Sequence, residues 1–408
     1  MNLKIKILEM KESLKIAKEQ LINRWIKAFD EIGEINLVAS RTVKIKYAEA
    51  SRFDLHDYNN GRVKQGGKLF DKKPDDKSDY HEYGLDQTGF PTVTKFRHSW
   101  NKIDWIGYYK REESFVEYIE FCLNTKVPSA INRIIFEKGK KSSFQFLKIN
   151  GGASYFHVST KEEIVKDILN SETFLMFSIQ EYEYENNLIT KAFGLANTPG
   201  IGEFTFNDFY NYNGEKELLE IKRYFEKWPV QIEYIKPSGR SMTVLLKELA
   251  ELFVKYIINI LLRNDTKDRL CFLVLSYHYC DDFWPSLEIV TEETREQALN
   301  DDMDYLLLNN EIYENITSKT ESPKLLKKDF KEFTQRMEAF DNYNWGRRFL
   351  IQISKILTQN KLEGLIPVTD DFVVFPIDWT LTEDIGEILI KCGAKKSKVK
   401  EWKVLNWF

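Results

Sequence analysis

Apolar positions Leu14, Ala17, Leu21, Ile22, Trp25, Ile26 and Phe29 recur at helical spacing, with lysines and glutamates filling the other face. Such a stripe predicts an amphipathic helix that must pack against something, and Gly33 is its expected stop. Beyond it the period shortens. Phe90–Arg97, Trp105–Lys110, Phe115–Cys122, Ala130–Glu137, Phe144–Ile149 and Phe174–Tyr182 are rich in β-branched and aromatic residues, several with alternation, and predict strands. Asp86–Gly89 and Lys138-Gly139-Lys140 are turn-like separators. One helix is expected to interrupt, capped by Ser159 or Thr160, with Glu162 and Glu163 in its first turn and Ile164, Val165, Ile168 and Leu169 on its buried side. Glu181–Glu185 alternates glutamate with tyrosine and reads as a solvated edge strand.

The second half alternates helix and strand. Glu215–Lys227 reads as a helix, Val230–Ile235 as a strand and Thr243–Arg263 as a long apolar helix. Leu270–Tyr277 is a nearly continuous apolar run, the pattern of a strand buried on both faces. Leu287–Val290 is a further strand, leading to a helix with Thr291 as cap and Glu292 and Glu293 behind it. Ser322-Pro323 opens another helix, Trp345–Asn360 continues as helix, and Phe372–Ile377 is a strand. Thr382 is the expected cap of a last long helix ended by Gly393. The fold class expected is α+β, mixed α/β. A β-rich N-terminal domain with its N-terminal helix spans 1–210, and an α/β domain with a central sheet flanked by helices spans 211–408.

Composition narrows the class. In 408 residues, 43% hydrophobic and 14% aromatic content exclude disorder as the main state. Lys+Arg 59 against Asp+Glu 63 leaves −4, so no global field draws the chain to nucleic acid or membrane. No apolar run suits a bilayer span, and the lysine-studded first residues do not form a secretory signal. Cys122, Cys271, Cys280 and Cys392 are scattered without a CxxC pair, which predicts free thiols and a cytoplasmic setting.

Familiar catalytic motifs are missing: Thr198–Gly202 lacks the Lys-Ser/Thr of a phosphate loop, and neither GxSxG nor HExxH occurs. The densest polar group follows the buried strand: Tyr277, His278, Cys280, Asp281, Asp282 and Trp284. Loops at the ends of buried strands are where α/β proteins place chemistry. His278, Cys280 and Asp282 are candidate mixed metal ligands, without a partner ligand set elsewhere. The plainer reading is an Asp-rich turn with Trp284-Pro285 packed beside it. Asp370 and Asp371, adjacent on a strand, point to opposite faces and make a poor acid–base pair. His56, His81, His98 and His157 are isolated. Regional charge is uneven: nine carboxylates against Arg295 between Asp281 and Asp304, and six lysines against Glu401 from Lys391 onward. Such separation steers a charged partner, or lets the two segments pair with each other.

Three stretches of the second half resemble a family of uncharacterised bacterial proteins assigned as immunity proteins of polymorphic toxin systems. They are Leu270–Trp284 through Leu287–Val290 to Thr291-Glu-Glu, the helix beginning near Trp345, and Thr369–Asp378 with the closing segment to Trp407. His81–Gly84 and Asp86–Gly89 of the first half resemble, more faintly, β-rich modules fused in such proteins. The resemblance implies a binding role and transfers no catalytic residue. The expectation is a cytoplasmic protein that neutralises a toxin by direct binding, a basic toxin domain among the candidate partners, through Tyr277, His278, Asp281, Asp282 and Trp284. No cofactor, catalytic residue, metal site, membrane or nucleic acid enters this reading. The alternatives are a metal-dependent enzyme at the same strand end, using His278, Asp281 and Asp282, and a structural subunit of a bacterial defence complex.

Overall fold

The computed structural model describes residues 3–48, 53, 55, 69–74, 79–97, 104–149, 160–171, 174–264, 268–278, 283–301, 306–308, 310–316, 324–339, 342–378 and 384–408. The protein is α+β and divides into two compact units, the first ending at Lys236 and the second beginning at Pro237.

A 12-stranded sheet forms the body of the first unit, each strand pairing antiparallel with its neighbours in chain order. The strands are β1 (Lys44–Ala48), β2 (Tyr80–Leu85), β3 (Pro91–Arg97), β4 (Asp104–Arg111), β5 (Phe115–Cys122) and β6 (Pro128–Glu137), then β7 (Lys140–Ile149), β8 (Leu175–Glu185), β9 (Leu188–Thr198), β10 (Gly202–Tyr212), β11 (Leu218–Phe225) and β12 (Gln231–Ile235). Turn chemistry sets the hairpins. Lys138 and Gly139 take φ of 51° and 74° between β6 and β7, and Asn186 and Asn187 take 49° and 68° between β8 and β9. Two-residue hairpins need these left-handed conformations, which Gly and Asn tolerate best. At the β2–β3 turn the Asp86 carboxylate accepts from the Thr88 and Phe90 amides at 2.8 and 3.0 Å.

Helices α1 (Leu3–Ala28), α2 (Glu34–Ala39) and α3 (Lys161–Asn170) pack on one face of this sheet. The predicted stripe of α1 is what they bury: Leu14, Leu21 and Trp25 meet Ile119, Ile131, Leu147 and Phe177. The Trp25 indole donates to the Pro128 carbonyl at 2.9 Å. Thr160 caps α3 in a reciprocal box with Glu163, as the pattern predicts. Charge also locks α1 down. Arg24 Nη2 reaches Glu117 Oε1 at 2.6 Å and Glu31 Oε2 at 2.8 Å, while Arg133 pairs with Glu117 from the other side at 2.8 Å. Burial alone would raise the Glu31 carboxyl. Hydrogen bonds from Arg24 and Tyr108 outweigh it and hold the group at about 2.

Three expectations change here. Glu215–Lys227 is not a helix: the Asn213 side chain accepts from the Glu215 and Glu217 amides in a turn, and β11 follows, paired with β10. The Arg223 guanidinium pairs with buried Asp208 of β10 at 2.8 Å, a contact only the strand register provides. Glu181–Glu185 is not at an edge, because β8 lies between β7 and β9. Its glutamates take the α1 face, where Glu181 accepts from Ser13 at 2.6 Å, and Tyr184 on the opposite face donates to the Lys141 carbonyl at 2.8 Å. The division near residue 210 moves to 236/237, since the meander continues through β11 and β12.

The second unit holds a four-stranded sheet in the order β15 (Glu314–Asn315), β14 (Ser286–Thr291), β13 (Leu270–Tyr277), β16 (Val368–Asp378), with β13 and β16 parallel. On one face lie α4 (Met242–Asn264), α6 (Lys324–Ala339) and α7 (Asn344–Asn360); on the other lie α5 (Glu292–Asn300), α8 (Ile385–Lys391) and α9 (Lys396–Val404). Leu273, Leu275 and Tyr277 of β13 join the first core, and Phe272 and Val274 the second. That two-sided burial is the reason for the nearly continuous apolar run. Asp384 caps α8, its carboxylate accepting from the Glu387 amide. Thr382, Ser322-Pro323 and Ser159 lie outside the described residues. No helix among the described residues is long and apolar enough to cross a membrane.

Candidate functional site

The sequence points to the loop after β13, and the structure sorts its residues. Tyr277 is 3% exposed and stacks at a tilt on Phe283, 5.5 Å between centroids. Trp284 is half-buried, with its ring 4.6 Å from Phe253, 5.1 Å from Phe330 and 5.8 Å from Tyr256. Both rings therefore serve the core on the α4–α6–α7 side, and neither stands out as an aromatic anchor for a partner. His278 is exposed just past the strand. Asp281, Asp282 and Cys280 lie outside the described residues.

Asp378, which the sequence shows only as a carboxylate flanking a strand, takes a defined place in the structure. It is buried at the end of β16 in direct register with Tyr277, so the carboxyl ends of the two parallel strands carry a buried carboxylate beside a buried phenol. Among the described residues no group of three His, Cys, Asp or Glu side chains is placed to hold a metal. Asp371 is engaged with Arg295 at 3.0 Å; burial pushes its carboxyl up, and a hydrogen bond from Thr369 together with the Arg295 charge holds it below the ordinary range. Cys122, Cys271 and Cys392 are free and buried.

The acidic run resolves residue by residue. Glu288 accepts from Ser276 at 2.7 Å and Glu292 pairs with Arg269 at 3.2 Å, whereas Glu293, Glu296 and Asp301 are exposed along α5. The lysine-rich tail partly neutralises itself: Lys391 pairs with Glu387, and Lys398 with Glu401, which raises the Lys398 ammonium.

The exposed aromatic surface lies elsewhere, on the α1 side of the first sheet. Helix α1 packs over β6 to β9 and reaches β10 through the Lys18–Glu203 ion pair. Alternation puts Phe209 and Tyr224 on the same side of the sheet, where they remain 46% and 41% exposed. Their rings meet edge to face at 5.2 Å and 82°. Met10, Phe193 and Phe225 complete a groove of about 530 Å³. Its rim is charged in balance: Lys191 sits 5.5 Å over the Phe209 ring, and Lys11 pairs with Glu226 at 3.3 Å. Trp228, 41% exposed beyond β11, is not part of this groove: it packs its edge on Phe204 and Phe225, and Phe204 points away from α1 by strand alternation. Isolated exposed apolar residues are ordinary; a group of aromatic rings around one groove marks a contact surface. No motif signals it, because the exposure follows from how far α1 reaches.

A larger cavity of about 710 Å³ lies on the opposite face, floored by Leu55, Phe90, Val116, Ile134 and Phe136. Lys141 lines it, and burial pushes its ammonium down to about 8.

Comparison of the chain with protein-family models, with curated proteins and with solved structures finds no match. Fold and surface define a two-unit α+β protein with an exposed aromatic groove on a large antiparallel sheet.

Proposed function

We propose that this chain is a protein-binding protein that neutralises a bacterial toxin by direct contact, acting in the cytoplasm. The observation that supports a binding role is the aromatic groove beside α1, with Phe209 and Tyr224 at its centre. Tyr and Trp dominate binding energy at protein interfaces because they bury large area while freezing few torsions. Burying the exposed part of Phe209 and Tyr224 contributes about 1–2 kcal/mol each at ~25 cal/mol per Å². The exposed carboxylates Glu293, Glu296 and Asp301 on α5 favour a basic partner and speed its approach.

The test is co-expression with the products of neighbouring genes, scored by cell survival and co-elution. Rescue from one toxic neighbour with a stable complex is expected. A Phe209→Ser, Tyr224→Ser variant should keep its thermal midpoint and lose both rescue and co-elution. Unimpaired rescue by that variant removes the groove from the reading, and the absence of any toxic neighbour removes the immunity role.

A second reading is favoured by one observation, the buried Asp378 in register with Tyr277 at the carboxyl ends of β13 and β16. That position suits an enzyme site in open α/β sheets, metal-dependent if His278, Asp281 and Asp282 join it. Elemental analysis of purified protein decides: stoichiometric metal lost on His278→Ala supports this reading, and metal-free protein counts against it.

A further inference from the structure

The face of the first sheet turned away from α1 carries a second, more polar pocket of about 320 Å³ across β2 to β7. Strand alternation builds it. Ile119, Ile131 and Leu147 point into the α1 core, so their neighbours Tyr118, Glu120, Asn132 and Phe146 must point the other way. Tyr83, Phe96, Tyr109, Tyr118 and Phe146 form aromatic walls, and Phe53 closes one side. The rings brace one another: Tyr109 and Tyr118 lie 4.6 Å apart, Phe53 and Tyr83 5.0 Å, and His81 stacks on Phe96 at 4.4 Å. Gly107 lets Tyr118 lie flat, since a Cβ at that position would collide with the phenol ring.

Glu120 is the polar centre. It pairs in register with Gly107 on β4 and Ala130 on β6, so small neighbours on both sides leave its carboxylate open to the pocket. Tyr118 donates to Glu120 Oε2 at 3.0 Å, and Ser129 donates to Oε1 at 2.8 Å. Those hydroxyls are its partners among the described residues; they orient the carboxylate without neutralising its charge. Lys148 lines the pocket from the neighbouring strand, and its side chain is exposed at the rim.

A half-buried carboxylate among aromatic faces selects for positive charge. The ring quadrupoles attract a cation, and Glu120 completes the match, whereas a neutral or anionic ligand would cover the carboxylate without compensating it. We propose that this pocket binds an organic cation, an alkylammonium or guanidinium head group, between the aromatic walls and Glu120. Its small volume suits a head group rather than a whole large ligand. The head group belongs either to a free amine or to a lysine or arginine side chain of another protein. This site lies on the opposite face from the groove of Phe209 and Tyr224, so its failure and the failure of the toxin-binding reading are separate results.

The test is titration of the full chain by calorimetry with tetramethylammonium, methylguanidinium, and the blocked amino acids Nα-acetyl-lysine methylamide and Nα-acetyl-arginine methylamide. Choline is titrated as well, with the uncharged 3,3-dimethylbutan-1-ol as its neutral isostere. Saturable binding of at least one cation is expected, at least tenfold tighter than the isostere. Glu120→Gln should weaken the cation at least tenfold and leave the isostere unchanged, and Lys148→Met should retain or tighten it. Tyr118→Leu, which removes a wall and keeps the carboxylate, gives a second route to the same loss if Glu120→Gln does not fold. Binding by the small cations assigns the pocket to a free amine; binding confined to the blocked residues assigns it to a protein side chain. The proposal is overturned if no cation binds, if the isostere binds equally well, or if neither pocket variant changes affinity.

Discussion

Replacing Arg24 by Met tests how α1 is held to the sheet. Met keeps most of the aliphatic stem and removes the guanidinium that joins Glu117 and Glu31. Breaking a buried ion pair outright costs about 3–5 kcal/mol. Here Glu117 keeps Arg133 at 2.8 Å and Glu31 keeps Lys110 at 3.2 Å, so neither carboxylate is orphaned. The Glu31 carboxyl sits at about 2, well below its ordinary range. At about 1.4 kcal/mol per tenfold shift in proton affinity that is at most ~3 kcal/mol, and partial solvent screening reduces it to roughly 1–2. With the loss at Glu117 added, a total of about 2–3 kcal/mol is expected at pH 7. The sign follows from linkage: a depressed carboxyl stabilises the fold above its unfolded pKa and loses that contribution as pH falls through about 2. Chemical denaturation at several pH values, with hydrogen exchange of α1 as a local probe, should show the variant least stable relative to the parent at neutrality. The two curves should converge toward pH 2. A gap that stays constant with pH would show that packing, not charge, holds the helix, and a loss below about 0.5 kcal/mol would refute the network altogether.

Trp284→Ala should destabilise the second unit by about 2–4 kcal/mol in denaturant titration, because its ring fills a cluster with Phe253, Tyr256 and Phe330; unchanged stability with lost partner binding would return the ring to an interface role. Gly194→Ala should destabilise the first unit by about 1–3 kcal/mol in denaturant titration, since its Cβ would run into the buried Phe206 ring. Lys141→Met should raise stability by about 1 kcal/mol at pH 7 by removing a desolvated ammonium, and the gain should shrink as pH rises from about 8, where the folded protein releases the proton, and be gone above the ordinary lysine value of 10.5, where the unfolded chain releases it too. A gain that persists undiminished at pH 10 would trace it to packing instead.

What could be read from the residues alone was what neighbours along the chain decide. The eight-residue apolar run Leu270–Tyr277 has one reading, a strand with a core on each side, and β13 has both. The Thr160–Glu163 box, the Lys138-Gly139 turn and the α1 stripe are similarly local, each contained within a turn or one helix face. Pairing across the sheet is not local. Leu218–Phe225 satisfies a helical period nearly as well as a strand, and its fate is set by β10, which supplies Asp208 for Arg223. Glu181–Glu185 has the pattern of an edge because ionised glutamates need polar partners, which water supplies at an edge; here α1 supplies one through Ser13. The unit boundary follows the same logic, since a meander ends where its last pairing ends. For the sites, composition could place rings near β13 but could not say that Tyr277 and Trp284 turn inward. Nor could it show that a helix covering β6 to β9 leaves Phe209 and Tyr224 in solvent. The fold class, the Asp86–Gly89 and Lys138-Gly139 turns and one doubly buried strand were legible along the chain, because those depend on short-range propensity and periodicity. Strand partners, buried charge networks and the surfaces left for binding were decided by tertiary structure, because each depends on which distant segment arrives to cover a side chain.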